Sequence, residues 1–196
     1  MTTTTTMATT RRRLHRIAVI AGMSLALGGA LVAPSASATP PTCHGRAVDY
    51  FAPGGVFQDP GGNAGSVIYG TTGVDDIDGL GGNDWICGLD GNDTINGGDG
   101  RDTIWGDDDA DTIDGDAAGD TLHGGRGNDF LDGDTGYDVI HGGENTDTIY
   151  GQAGANSVAC GNGGGDFADG GNDPGAEDDV LLNPGPPSDC EFNVNF

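Results

Sequence analysis

Nine aspartates, Asp75, Asp84, Asp93, Asp102, Asp111, Asp120, Asp129, Asp138 and Asp147, follow one another at intervals of nine residues, and Asn156 takes the tenth place. If the fold sets such equivalent carboxylates side by side, they repel one another unless cations lie between them. The chemistry open to this series is ligation of a hard, oxygen-seeking ion.

Two further nine-residue series define the elements that must position these side chains. With Gly70 as position one, glycine recurs at 79, 88, 97, 106, 115, 124, 133, 142 and 151, which places the aspartates at position six. Position eight is aliphatic throughout: Ile77, Ile86, Ile95, Ile104, Ile113, Leu122, Leu131, Ile140, Ile149 and Val158. A helix needs an apolar period near ~3.6 residues, and a two-sided strand needs a longer alternation than this. One aliphatic in nine implies a strand of about three residues, with position eight inward and positions seven and nine outward. The other six residues form a turn, with glycine at position one and often at four admitting positive φ. Two units then make one coil of eighteen residues, and coils stack at ~4.8 Å as parallel strands. Ile77, Ile95, Ile113, Leu131 and Ile149 form one inward column, and Ile86, Ile104, Leu122, Ile140 and Val158 the facing one.

So thin a core does not offset backbone ordering, which costs ~1–2 kcal/mol per residue. The turns need another source of cohesion. Stacking coils lines Asp75, Asp93, Asp111, Asp129 and Asp147 along one edge, and Asp84, Asp102, Asp120, Asp138 and Asn156 along the other. Glycine-rich turns expose carbonyls to the same places. An all-oxygen ligand set of flexible number favours an ion of calcium's size over magnesium or zinc, and five turns per edge leave room for about eight ions.

The units GLGGNDWIC, GLDGNDTIN, GGDGRDTIW and GGRGNDFLD resemble the haemolysin-type RTX nonapeptide G-G-x-G-x-D-x-U-x, and the resemblance covers residues 70–159. It implies an all-β fold, a parallel β-roll (a right-handed β-solenoid of nonapeptide repeats) with short irregular caps. It also implies Ca2+ held by turn carbonyls and the nine position-six aspartates. The chain departs from the pattern at Asp109, Ala118 and Asn145, which replace the position-four glycine, and at Asn156. GGNAGSVIY, residues 61–69, reads as a degenerate repeat without metal, having Ser66 in the aspartate's place and Ile68 inward. Residues 39–60 read as an irregular lead-in. After Ala159 the register slips by one, so that GNGGGDFAD puts Asp166 at position six, and Asp178-Asp179-Val180 offers one more short strand. The expected organisation is a signal peptide at 1–38, a lead-in and cap repeat at 39–69, the roll at 70–159, and a disulfide-closed C-terminal cap at 160–196.

Composition agrees with export. The 196 residues include 39 Gly, 31 Asp and Glu, and 7 Arg or Lys, all of the last being arginine. Arg11, Arg12, Arg13 and Arg16 precede the apolar run IAVIAGMSLALGGALVA, and Ala36-Ser37-Ala38 fits a signal-peptidase site. Thr10-Arg11-Arg12-Arg13-Leu14 is weakly similar to a twin-arginine signal; the general secretory route is the expectation. Removing 1–38 leaves three arginines against 31 acidic residues, a formal charge of −28. Such a polyanion is repelled by nucleic acid and by anionic lipid, and the mature chain has no segment expected to insert in a membrane. Cys43, Cys87, Cys160 and Cys190 allow three pairings in an exported chain. In the roll, Cys87 and Cys160 lie about four coils apart, roughly 19 Å, beyond disulfide reach. The favoured pairs are Cys43–Cys87 and Cys160–Cys190.

The function expected is a secreted calcium-binding protein that folds on Ca2+ and serves a structural, adhesive or matrix role. It is not expected to be an enzyme, because 39–69 and 160–196 are too short for a catalytic fold and hold no His-Glu-x-x-His or G-x-S-x-G motif. One alternative is a module that binds a polysaccharide or ice surface through position seven, where Thr94, Thr103, Thr112, Thr121 and Thr148 fall. Another is an accessory fragment of a calcium-dependent secreted hydrolase. At position nine, Cys87, Trp105, His123 and His141 stack, and the two imidazoles could hold zinc or copper.

Overall fold

A computed structural model describes residues 42–52, 54–60, 64–162, 165–171, 180–182 and 191–193; the expected signal peptide and Cys190 lie outside them. Every element among the described residues is a strand. A hairpin comes first: β1 (Thr42–Cys43) pairs with β2 (Arg46–Ala47) in antiparallel register. Its two-residue turn places His44 at φ 44° and Gly45 at φ 91°, both positive as a type I′ turn requires.

The rest of the chain alternates between two parallel sheets of eight strands each. The first contains β3 (Tyr50–Phe51), β5 (Val67–Tyr69), β7 (Trp85–Asp90), β9 (Thr103–Asp108), β11 (Thr121–Arg126), β13 (Val139–Glu144), β15 (Ser157–Asn162) and β17 (Val180–Leu182). The second contains β4 (Gly55–Gln58), β6 (Asp75–Asp78), β8 (Thr94–Asn96), β10 (Thr112–Asp114), β12 (Phe130–Asp132), β14 (Thr148–Tyr150), β16 (Phe167–Asp169) and β18 (Glu191–Asn193). This is the β-solenoid expected from the period. Ile68, Ile86, Ile104, Leu122, Ile140 and Val158 stand in register along one sheet. Ile77, Ile95, Ile113, Leu131 and Ile149 do so along the other. All are buried and pack as one core. The slip appears where Ile149 pairs with Ala168, nineteen residues on. Pairing at the usual spacing holds as far as Asn162, so the extra residue is taken up between Asn162 and Asp166.

Three features differ from the expectation. The lead-in is not irregular throughout: Tyr50–Phe51 and Gly55–Gln58 supply the first strand of each sheet, and Ala52, Tyr50 and Phe57 cover the open end of the core. The strands are not all three residues long, because from β7 to β15 the first sheet's strands run for six. Position nine accounts for this in part, since β14 also stops after three residues although its position nine is Tyr150. On the short strands Asp78, Asp114, Asp132 and Asp169 accept, through Oδ1, the N–H two residues on, which turns the backbone away from the ladder. On the long strands position nine is Cys87, Trp105, His123, His141 or Ala159, which cannot do this, and pairing continues through position three.

The third difference concerns glycine. Positive φ occurs at positions two and four, as at Leu89 (86°), Asp107 (80°), Gly91 (129°) and Gly127 (146°), and at none of the position-one glycines. Position one is glycine for want of space. A Cβ on Gly106 would stand 2.7 Å from the Gly124 carbonyl oxygen and 2.2 Å from Asp111 Oδ2.

Candidate metal-binding edges

Position six follows the turn and precedes the inward aliphatic, so its side chain is carried under the turn. All nine aspartates are buried there, each at most 3 % exposed. The stacking of coils gives each one a shared partner. Oδ1 accepts the backbone N–H of the position-six residue one coil earlier, as in Asp75 N to Asp93 (2.8 Å), Asp93 N to Asp111 (2.8 Å), Asp111 N to Asp129 (2.9 Å) and Asp129 N to Asp147 (3.0 Å). The other edge repeats this from Asp84 N to Asp102 (2.7 Å), Asp102 N to Asp120 (2.7 Å) and Asp120 N to Asp138 (2.8 Å). The structure thus brings the nine aspartates together as two ladders, five on one edge and four on the other.

The second carboxylate oxygen has no such partner. Oδ2 of Asp84, Asp93, Asp102, Asp111, Asp120, Asp129, Asp138 and Asp147 is buried and accepts no hydrogen bond from any described residue. Each faces a carbonyl of the next coil. The point where a Cβ on Gly88 would stand is 2.5 Å from Asp93 Oδ2 and 2.9 Å from Gly106 O; at Gly133 it is 2.6 Å from Asp138 Oδ2 and 3.1 Å from Gly151 O. Two acceptors turned toward one space, with no donor between them, are costly in a buried setting. A cation or a proton resolves the conflict. Accordingly burial, the largest cause, pushes the carboxyls up: Asp111 and Asp120 to about 8, Asp84 and Asp147 to about 7, and Asp93, Asp102, Asp129 and Asp138 to about 6. Like-charged neighbours add to it, Asp129 and Asp93 acting on Asp111. The donor set is therefore all oxygen, carboxylate plus carbonyl, and fits a hard divalent ion.

Asp75 differs from the rest. Its Oδ2 accepts from Thr71 N (2.7 Å) and Thr71 Oγ1 (3.0 Å), leaving Oδ1 as the oxygen without a partner. Asp166 extends the same ladder, since Asp147 N donates to its Oδ1 at 2.9 Å, and it is buried. Its signal in the sequence was the slipped unit GNGGGDFAD. Asp59, buried and accepting from Ser66 Oγ at 2.9 Å, carries no repeat signal at all.

The other candidates fare differently. Cys43 and Cys87 are joined, as expected, which fastens the hairpin to β7; Cys160 is buried, and its expected partner Cys190 lies outside the described residues. His123 and His141 stack with ring centroids 4.9 Å apart and planes 8° apart, and Trp105 stacks on His123 from the other side. Parallel stacked imidazoles point their lone pairs side by side, not toward one ion. Burial, then His141 and His44, lowers His123 to about 4. His44, Cys87 and Asp107 also converge, but the Cys87 sulfur is committed to the disulfide. The threonines make no broad array: Thr94 and Thr112 adjoin but Phe130 follows, and Thr103 and Thr121 lie between Trp85 and Val139.

The family model of the RTX calcium-binding nonapeptide repeat (4 copies) matches residues 60–95, 88–122 and 123–158. Searches of curated proteins and of solved structures found no match.

Proposed function

The chain belongs to the family of RTX calcium-binding nonapeptide repeat proteins, and from that premise we propose that it is an exported, non-catalytic protein whose solenoid folds as Ca2+ binds along both edges. The observation that supports this reading best is the set of buried carboxylate oxygens without donors, each facing a carbonyl of the next coil. Asp84, Asp93, Asp102, Asp111, Asp120, Asp129, Asp138 and Asp147 would hold the ions together with glycine carbonyls such as Gly106 O, Gly124 O and Gly151 O, and Asp75 would stand at the end of its row. Bound calcium supplies the positive charge that lets stacked carboxylates ionise inside the roll. About eight ions follow from the spaces available. Export, with a leader at 1–38 removed, agrees with the Cys43–Cys87 disulfide, since such bonds persist in oxidising compartments. The duty is structural, adhesive or matrix-forming: a stiff rod of stacked coils switched on by extracellular calcium.

Circular dichroism of the mature chain during a CaCl2 titration tests this. Without metal, a charge of −28 on so thin a core favours disorder. Strand signal is expected to appear cooperatively with a midpoint of order 0.1–1 mM, as for extracellular modules, and Mg2+ at equal concentration should not reproduce it. A chain equally folded in chelator at neutral pH would overturn the reading.

A further inference from the structure

We propose that Asn156 is an end-stop, an amide that fills the space of a further ion and fixes the length of the array on its edge. The inference rests on calcium lying at the position-six carboxylates. Along this edge the space beside each position-one glycine is flanked by two oxygens. At Gly97 a Cβ would stand 2.7 Å from Asp102 Oδ2 and 3.1 Å from Gly115 O, and at Gly115 it would stand 2.9 Å from Asp120 Oδ2 and 3.2 Å from Gly133 O. At Gly151 the same point is 2.8 Å from Asn156 Nδ2 and 2.7 Å from Gly170 O. One acceptor has become a donor. Asn156 Nδ2 donates to Gly170 O at 3.2 Å, while Oδ1 keeps the ladder bond by accepting from Asp138 N at 3.0 Å.

The side chain is 1 % exposed, so the amide is a built element of the interior. It satisfies the carbonyl that elsewhere requires a cation, and its N–H bonds turn positive charge toward the space. An ion there would meet a donor in place of a ligand. Thr71 closes the opposite end of the other edge in the same manner, by donating its N–H and hydroxyl to Asp75 Oδ2. Between these stops, eight Oδ2 atoms lack donors among the described residues, four on each edge.

Calcium stoichiometry by native mass spectrometry or equilibrium dialysis, on the full mature chain with its disulfides intact, tests the assignment. Asn156→Asp should bind one more ion per chain than wild type and should fold less readily in metal-free buffer at neutral pH. Asp138→Asn should move the stop one coil inward, lose one ion and still fold on calcium. Wild-type chain that binds no calcium would overturn the family-based reading beneath the proposal. Calcium binding by wild type with unchanged stoichiometry in Asn156→Asp would sink the end-stop alone. If Asn156→Asp does not fold, Asp138→Asn decides: one ion lost supports the proposal, and none lost overturns it.

Discussion

The hairpin at residues 42–47 and the aspartate edges are held by opposite kinds of contact. The hairpin is fastened to the first sheet by the Cys43–Cys87 bond, by His44 stacked 4.2 Å from Trp105 and paired with Asp107 at 3.4 Å, and by Arg46 lying 3.8 Å over Trp85. Every one of these contacts is complete within the chain. The edges carry the greater part of the described structure, and there the buried carboxylates end in oxygens that no described residue satisfies. One region is finished by its own residues and the other requires an ion or a proton. The comparison can be broken by treating the two regions separately.

The largest effect should come from pH in calcium-free buffer. The edge aspartates have folded pKa values of about 6 to 8 against 3.8 for the ordinary carboxyl. The folded state therefore binds more protons than the unfolded one through this interval. The metal-free roll is favoured in full below about pH 4 and loses that support as pH rises through 6 to 8. His123, held down to about 4, acts in the reverse sense, but it is one group against eight. Strand signal in metal-free buffer should be absent at pH 8 and grow as pH falls toward 5. A chain without strand signal anywhere in that range would show that the carboxylates are not what keeps the metal-free roll open.

Removing the disulfide should act next, and locally. In Cys43→Ser/Cys87→Ser the hairpin loses its tether, with a cost of about 2–4 kcal/mol expected for a structural bond of this kind. Each coil contacts only its neighbours, so the cost stays near the amino-terminal coils. Tryptophan emission from Trp85 and Trp105 should shift to the red as Arg46 and His44 leave them, while the calcium midpoint for strand formation moves little. A midpoint displaced as far as the fluorescence transition would mean that hairpin and edges form one cooperative unit.

Much of this partition could be read from the residues. Positions six and eight hold a nine-residue period without a slip over ten units, and only stacked coils can use such a period, so the two columns, the two ladders and the ligand candidates were legible. What was not legible lives at a period of eighteen. Asp78, Asp114 and Asp132 on one sheet stand against Cys87, Trp105 and His123 on the other at position nine, and that difference contributes to the longer strands of the first sheet; a nine-residue frame averages it away. The hairpin's docking was half legible, since the cysteine pairing was expected but the insertion of His44 against Trp105 was not. Asp59 was hidden because its bond to Ser66, seven residues on, falls outside the nine-residue register.

Within the edges, a smaller effect separates ligand from mere charge. Asp111 stands mid-ladder, bonded to Asp93 N, while Asp109 in the same turn is exposed. Asp111→Asn should raise the calcium midpoint roughly threefold to tenfold, as about 1 kcal/mol lost from a nearest-neighbour array would give, and lower the cooperativity. Asp109→Gly removes the same formal charge and should leave the midpoint unchanged or lower it. Equal upward shifts from both would deny position six any special standing.

The smallest effect should have the opposite sign and tests backbone strain. Ala118 occupies position four at φ 87°, a conformation in which a Cβ crowds the backbone, whereas Gly91, Gly100 and Gly127 hold the equivalent place elsewhere at φ 129°, 136° and 146°. Left-handed backbone costs a non-glycine residue roughly 1–2 kcal/mol. Glycine's greater freedom in the unfolded chain takes back about 0.4–1 kcal/mol of any relief. The net gain for Ala118→Gly then centres on ~0.8 kcal/mol, seen as a calcium midpoint lowered roughly fourfold. The substitution touches no carboxylate and no hairpin contact, so the number of ions bound should not change. An unaltered or higher midpoint would mean that the coil relaxes around Ala118 without strain, and that glycine at position four serves packing between coils instead of φ.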